Sequence, residues 1–183
     1  NKGVIKYCDC YSIAALNSGK IEYCTSYGYS VYMSTSTGGS VGGLVAHNEK
    51  TGEIRYCYAE ANIDYTFGGA RNIGGITGSL DGIVENCYVK FNINATGGTS
   101  TGEVYLYMNG IGGGTVQNCY STGSINVETY RTSAQGWCVL RIITMGSKAI
   151  NCFTNCTITA KNATGEIAPD FAGSCQNCYY YSS

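Results

Sequence analysis

A short segment that ends in cysteine recurs seven times along this chain of 183 residues. An apolar residue stands three positions before each cysteine, and a glycine stands five or six positions before it. Between Cys24 and Cys152 the successive cysteines lie 33, 30, 32 and 33 residues apart, a period typical of solenoids and repeat arrays. The seven cysteines are Cys8, Cys24, Cys57, Cys87, Cys119, Cys152 and Cys178, and the glycines are Gly3, Gly19, Gly52, Gly82, Gly114, Gly146 and Gly173.

Each repeat contains two further apolar segments. An isoleucine follows six residues after four of the cysteines, at Ile63, Ile93, Ile125 and Ile158. A glycine-flanked run occurs at Val41–Val45 and again at Ile73–Ile76, and we assign Val104–Leu106 and Cys138–Leu140 as its later counterparts. Three short strand-like segments per repeat cannot form a core alone, so successive repeats must stack.

Stacking of this kind predicts an all-β fold, a right-handed parallel β-helix (β-solenoid). We expect about five to six coils of roughly 30 residues each, which would form a rod roughly 25–30 Å long. Residues 1–183 would then form a single solenoid domain. A β-propeller fits less well, because its blades need about 40 or more residues and four strands.

The composition excludes several classes of partner. Only 13% of the residues are charged, the net charge is −1, and no basic run could neutralise a row of phosphates, so nucleic acid is not expected. No apolar run is long enough to span a membrane. The calcium-binding nonapeptide repeat and the EF-hand loop are both absent, and we expect no cofactor.

The glycine-flanked run Val41–Val45, followed by Ile54–Tyr58, resembles the GLUG-motif repeats of bacterial surface proteins. The segment Gly114–Ile125 resembles them more closely, and the likeness extends from Gly3 to Cys178. The resemblance implies a non-catalytic extracellular or cell-surface module that acts as a stalk, an adhesin segment or a filament subunit. Tyr7, Tyr23 and Tyr56 depart from the pattern, because later repeats carry asparagine at that position.

The residue before the cysteine predicts a bend. Asn86, Asn118, Asn151 and Asn177 would align on successive coils as a ladder of side-chain amides, and asparagine tolerates the left-handed backbone of a tight turn. Such a bend would let Val84 and Cys87 both face inward, although they are three residues apart. We interpret the cysteines as reduced packing residues, with disulfides or a metal site as alternatives, and Cys175 and Cys178 form only an isolated CxxC pair.

An aromatic residue follows the cysteine in five repeats and forms our candidate binding site. If these rings face outward, they make a strip suited to a surface glycan or a partner protein; if they face inward, they belong to the core. The five residues are Tyr58, Tyr88, Tyr120, Phe153 and Tyr179.

The alternative function is a β-helix enzyme that acts on polysaccharide. Asp9, Asp64, Asp81 and Asp170 fall at different phases of the repeat, which argues against one catalytic cluster. An acid cluster on one face beside Arg55 or Arg71 would favour the enzyme. The only histidine, His47, has no nucleophile that the sequence ties to it. Ice binding needs a regular threonine array, and the runs Ser34–Thr37 and Thr99–Thr101 do not recur in every repeat.

The two ends of the repeat also carry a prediction. A terminal coil exposes unpaired strand edges unless something covers them, and the residues outside the repeat are too few to do so. We therefore expect adjoining repeats or end-to-end self-association.

Overall fold

A computed structural model describes residues 1–35, 39–67, 71–79, 81–97, 104–129, 138–143, 148–161, 164–167 and 174–181. Within these ranges the chain forms parallel β-strands joined by turns and bends, without a helix, which confirms the all-β solenoid. Gly146, Asp170, Gly173 and Thr99–Thr101 lie outside the described residues. No helix in the described part is both long and apolar enough to cross a membrane.

The chain visits three parallel sheets in turn, one strand at a time. The first sheet holds seven short strands: β1 (Val4–Lys6), β4 (Lys20–Glu22), β8 (Glu53–Arg55), β11 (Ile83–Glu85), β14 (Thr115–Gln117), β17 (Lys148–Ile150) and β20 (Ser174–Gln176). The second holds seven strands, most of them long: β2 (Asp9–Cys10), β5 (Thr25–Thr35), β9 (Tyr58–Phe67), β12 (Tyr88–Gly97), β15 (Tyr120–Thr129), β18 (Phe153–Lys161) and β21 (Tyr179–Tyr181).

The third sheet closes the coil with five strands: β6 (Gly39–Gly42), β10 (Arg71–Gly74), β13 (Val104–Asn109), β16 (Cys138–Ile143) and β19 (Thr164–Ile167). A small fourth sheet pairs β3 (Ala14–Asn17) with β7 (Val45–Asn48). The coil count differs from the expected five to six, because the first two sheets each stack seven strands. The handedness of the winding stays a prediction.

The apolar position three residues before the cysteine forms the centre of the core. Ile21 pairs in register with Ile54, Ile54 with Val84, and Val84 with Val116. These four side chains are fully buried, as expected of Val84, and so are Ile93 and Ile125 in the second sheet. Ile63, Ile93, Ile125 and Ile158 also pair in register. The repeat therefore places equivalent side chains directly above one another.

Long strands of the second sheet alternate strictly between core and solvent. In β12 the side chains of Val89, Phe91, Ile93 and Ala95 point into the core, and the residues between them lie on the outer face. This period of two is the one expected of a sheet with one buried face. It also means that Tyr88, the first residue of β12, shares the outer face.

Paired glycines form the corner at the third sheet. A Cβ on Gly43 would lie 2.3 Å from the carbonyl oxygen of Gly75 and 2.7 Å from the Ala61 Cβ, so only glycine fits. Our assignment of Val104–Leu106 as the next copy of this corner is wrong, because Ile73 pairs with Met108 and Gly74 with Asn109. The next copy is Met108–Ile111, where asparagine replaces the first glycine. Val104–Leu106 and Cys138–Leu140 do stack on each other, but both segments end two residues before the corner position, which is Met108 on the first of these strands.

Candidate ligand groove

The residue before each cysteine adopts the left-handed backbone conformation, which confirms the predicted bend. The φ angles lie between 51° and 57° at Tyr7, Tyr23, Tyr56, Asn86, Asn118, Asn151 and Asn177, which we call the bend column. The bend resets the alternation of side chains, so that Val84 and Cys87 are both buried.

The bend column is held together by two kinds of side-chain contact. Asn118 donates an amide hydrogen bond to Asn86 at 3.2 Å, Asn151 donates to Asn118 at 3.1 Å, and Asn177 donates to Asn151 at 3.2 Å. The predicted amide ladder is therefore confirmed. In the earlier coils Tyr7, Tyr23 and Tyr56 replace the amides with a ring stack whose centroids are 5.3 and 4.9 Å apart.

The cysteines form a buried column directly inside the bend. We call Cys24, Cys57, Cys87, Cys119 and Cys152 the thiol column; each is exposed by 3% or less. The Cys57 N–H donates to the Cys87 sulfur at 3.4 Å, and the Cys87 thiol in turn donates to the Glu85 carbonyl at 3.2 Å. Burial raises the pKa of the Cys87 thiol and raises the pKa of Cys152 to about 12. These thiols are packing groups, as expected, whereas Cys175 is exposed and Cys178 is half-buried.

The aromatic residues after the cysteines face outward, which settles the alternative that the sequence left open. They occupy the outer positions of their strands. Tyr179 pairs in register with Phe153, and 69% of the Tyr179 residue is exposed. Tyr58, Tyr88, Tyr120 and Phe153 form the aromatic column, with successive ring centroids 5.2, 4.9 and 5.2 Å apart and interplanar angles of 25°, 9° and 24°. Their role in binding stays a prediction.

Stacking within the aromatic column covers the ring faces. Tyr88 lies between Tyr58 and Tyr120, and Tyr120 lies between Tyr88 and Phe153, so both rings are covered on both sides. Tyr27 packs edge-on against Tyr58 at 6.1 Å and covers its remaining side. A sugar ring therefore cannot stack flat on Tyr88 or Tyr120. The column presents ring edges and phenolic hydroxyls instead.

The phenolic hydroxyls differ in their partners. Tyr58 donates to the Glu60 carboxylate, and burial together with this hydrogen bond raises the Tyr58 pKa. Burial also raises the pKa of Tyr88. Within the described part of the chain, the Tyr88 and Tyr120 hydroxyls make no hydrogen bond. They remain available to a ligand.

A groove of about 650 Å³ runs between the bend column and the aromatic column. The side formed by the bend column carries Tyr23, Tyr56, Asn86 and Asn118. The opposite side, on the second sheet, carries Thr25, Tyr58, Tyr88 and Tyr120. Cys24, Cys57 and Cys87 lie between the two sides, which we call the banks of the groove. The sequence predicts the two banks separately but does not predict the groove between them. Its sequence signal is the recurring triplet of tyrosine or asparagine, cysteine and tyrosine, in which the two outward residues flank an inward thiol.

Ion pairs cover the outer face of the first sheet. Arg55 contacts Glu53 at 3.5 Å and Glu85 at 3.2 Å, and Lys20 contacts Glu53 at 3.1 Å. Lys6 pairs with Glu22 at 2.8 Å. The hydrogen bond from Lys6 lowers the pKa of the Glu22 carboxyl. This group meets our criterion of clustered acids beside Arg55, although none of the aspartates that we considered belongs to it.

The remaining candidate residues are dispersed. Asp9 lies on β2 and Asp64 on β9, while Asp81 lines a separate cleft of about 360 Å³ with His47 and Glu49. Among the described residues, no three or more His, Cys, Asp or Glu side chains are grouped to hold a metal ion.

Comparison with known families identifies one segment. Residues 37–64 match the family model of the GLUG motif, in agreement with the resemblance at Val41–Val45 and Ile54–Tyr58. The match covers β6, β7, β8 and the first part of β9, and therefore includes one glycine corner and one bend with its cysteine. No curated protein and no solved structure matches the chain.

Proposed function

We propose that the chain is a non-catalytic repeat module of an extracellular, cell-surface protein and serves as a stalk, an adhesin segment or a filament subunit. The observation that carries the proposal is the continuity of every column from coil to coil. Core, thiol, bend-column and aromatic positions all repeat in register, so further coils can be added along the same backbone path. The aromatic column supplies the outward contact surface.

The outermost strands of the first sheet support this role. In the described structure β1 and β20 each pair on one side only, and their side chains are largely exposed. An open strand edge readily pairs with another strand. Adjoining repeats of the same protein, or a second copy of the module, would continue the sheets there.

Sedimentation and small-angle X-ray scattering at rising protein concentration test the assembly. We expect species that lengthen along one axis by about 34 Å per copy, the height of seven strand spacings, with an unchanged cross-section. A species that stays monomeric at high concentration, or that grows sideways, would contradict the proposal. Antibodies raised against the chain should label intact source cells, and labelling only after lysis would contradict the surface location.

A polysaccharide-active enzyme is the second candidate, favoured by the cluster of Glu53, Arg55 and Glu85. A glycoside hydrolase needs two carboxyl groups that flank the scissile bond, whereas here one guanidinium, that of Arg55, lies within 3.5 Å of both glutamates. The cluster therefore suits an ion-pair network better. Release of reducing ends or unsaturated products from a polysaccharide panel by the wild-type chain, and its loss in Glu85→Gln, would establish the enzyme instead.

A further inference from the structure

We infer that the groove between the bend column and the aromatic column binds a neutral linear polysaccharide, held through hydrogen bonds to phenolic hydroxyls and amides. This inference deepens the adhesive role proposed above and rests on it. It differs from the sequence expectation in the mode of contact, because the ring faces of Tyr88 and Tyr120 are covered.

The charge of the groove selects a neutral ligand. None of its eleven lining residues is an Asp, Glu, Lys, Arg or His. Glu60, on the aromatic side, already accepts the hydrogen bond from Tyr58. Nucleic acids and acidic glycans are bound mainly through lysine and arginine, which the groove lacks. An uncharged polymer loses no strong ionic hydration when it enters.

The hydrogen-bonding groups of the groove suit hydroxyl-rich ligands. Tyr88 and Tyr120 offer hydroxyls to which no described residue is hydrogen-bonded. Asn118 uses one amide N–H on the Asn86 oxygen and retains the second. The main-chain carbonyl groups of Tyr56 and Asn86 accept no hydrogen bond from the described residues. Hydroxyls and amides both donate and accept, as the hydroxyls of a sugar do.

The direction of the groove and the spacing of its rings from coil to coil favour a glycan over a peptide. The groove crosses the strands, so a peptide lying in it cannot pair with a strand edge. Successive rings of the aromatic column are 4.9–5.2 Å apart, whereas an extended peptide advances about 3.3 Å per residue and falls out of register. One sugar ring of an extended glycan is close in length to one coil step. The bend-column bank has four residues on four successive coils, so four rings should fill the groove.

Calorimetric titration of the 183-residue chain with oligosaccharides of two to six units tests this inference. The neutral probes are the cello-, xylo-, manno- and malto-oligosaccharides, and oligogalacturonates are the acidic probe. We expect at least one neutral series to bind, with affinity that rises up to about four units and then levels. The acidic series should bind about tenfold more weakly or not at all.

The matched variants remove hydroxyls without removing rings. The double variant Tyr88→Phe and Tyr120→Phe keeps the stack and should weaken binding about tenfold, with an unchanged melting temperature. Tyr179→Phe, outside the groove, is the control and should bind as the wild type does.

Absence of binding by all four neutral series would overturn the inference. So would equal affinity for the acidic series, or a double variant that binds as well as the wild type. If glycan binding fails while the chain still assembles along its axis, the structural module stands and only this inference falls. A chain that stays monomeric but binds oligosaccharide would retain the groove and overturn the filament role.

Discussion

At the scale of single residues, one backbone conformation is stabilised by two different chemistries. A left-handed backbone costs a non-glycine residue about 1–2 kcal/mol. Asparagine is among the residues that tolerate this conformation, and the amide ladder adds a hydrogen bond to each neighbour. At Tyr23 and Tyr56 ring stacking, worth about 0.5–1.5 kcal/mol, offsets the strain instead. The bend is thus kept although the side chain changes.

Variants of Asn118 separate backbone strain from the ladder. Asn118→Gly removes the amide hydrogen bonds, but glycine adopts a φ of 51° without strain. We therefore expect the free energy of unfolding to fall by only about 1 kcal/mol. Asn118→Ala loses the amide and keeps the strain, so we expect about 2 kcal/mol. Urea denaturation measures both. Asn126→Ala is the control, because Asn126 also donates an amide hydrogen bond, to Asn94, but lies within strand β15. It should lower the free energy of unfolding less than Asn118→Ala does. Equal losses for the alanine and glycine variants at position 118 would contradict this account.

Val116 tests the register of the core. Its side chain is fully buried between Val84 and Ala149, and an unpaired carboxylate there would cost several kcal/mol or more. Val116→Asp should therefore abolish the folded state, as measured by circular dichroism and thermal melting. Gln117→Asp, one residue on and on the outer face, should fold normally. A native spectrum and melting curve for Val116→Asp would show that the register is wrong.

At the scale of elements, the glycine corner sets how closely adjacent coils approach. Gly43 donates its N–H to the Gly75 carbonyl at 3.1 Å, and Gly75 donates to the Gly110 carbonyl at 3.0 Å. These hydrogen bonds require glycine at both positions, because a Cβ on either residue would clash with a carbonyl oxygen of the next coil. The corner therefore works as a unit of three stacked glycines.

Gly43→Ala should destabilise the fold by about 1–3 kcal/mol or more, because the new Cβ is blocked by backbone and cannot be relieved by a rotamer change. The urea midpoint measures the effect. Gly3→Ala is the matched control, since its Cβ would have only the Asn1 side chain as a neighbour, at 3.9 Å. Similar midpoints for the two variants would refute the close-packing explanation.

Cys152, in the thiol column, predicts a loss of stability in alkali. Folding raises the pKa of Cys152 to about 12, whereas a thiol in the unfolded chain ionises near about 8.5. The unfolded state therefore loses its proton first, and this contribution to stability is complete below about pH 8.5. It falls as the pH rises toward about 12, by up to about 1.4 kcal/mol per pH unit for one thiol. Tyr58 and Tyr88, whose pKa values are also raised, act in the same direction at higher pH.

Urea midpoints between pH 7 and 11, in the presence of reductant, measure this slope. Cys152→Ser replaces the thiol with a hydroxyl that does not titrate in this range, so its stability should fall less steeply than that of the wild type. Cys175→Ser, at an exposed site, is the control and should keep the wild-type slope. Parallel curves for wild type and Cys152→Ser would contradict a role for the thiol.

At the scale of the whole molecule, each coil contacts mainly the coil before it and the coil after it. Stability is then a sum of coil terms and neighbour terms, and the outermost strands have only one neighbour. Hydrogen–deuterium exchange at low protein concentration should show the strongest protection in β8, β11 and β14 and the weakest in β1 and β20. At high concentration β1 and β20 should gain protection if copies stack. Uniform protection at low concentration would contradict this arrangement.

The sequence by itself determined which residues are equivalent. Because the cysteine recurs at a nearly constant period, Ile54, Val84 and Val116 had to align, and so did Asn86 and Asn118. Equivalence of position, together with the conformational tolerance of asparagine, was enough to predict the core, the bend and the amide ladder. It was also enough to recognise the GLUG motif.

Tertiary structure alone decided what those columns present to solvent. Spacing does not reveal the direction of Tyr88, which depends on how the bend at Asn86 resets the alternation. The covered ring faces and the groove exist only because neighbouring coils bring rings within about 5 Å of one another. The glycine corner at Met108–Ile111 was missed because the approach of one backbone to another, rather than residue type, defines that site.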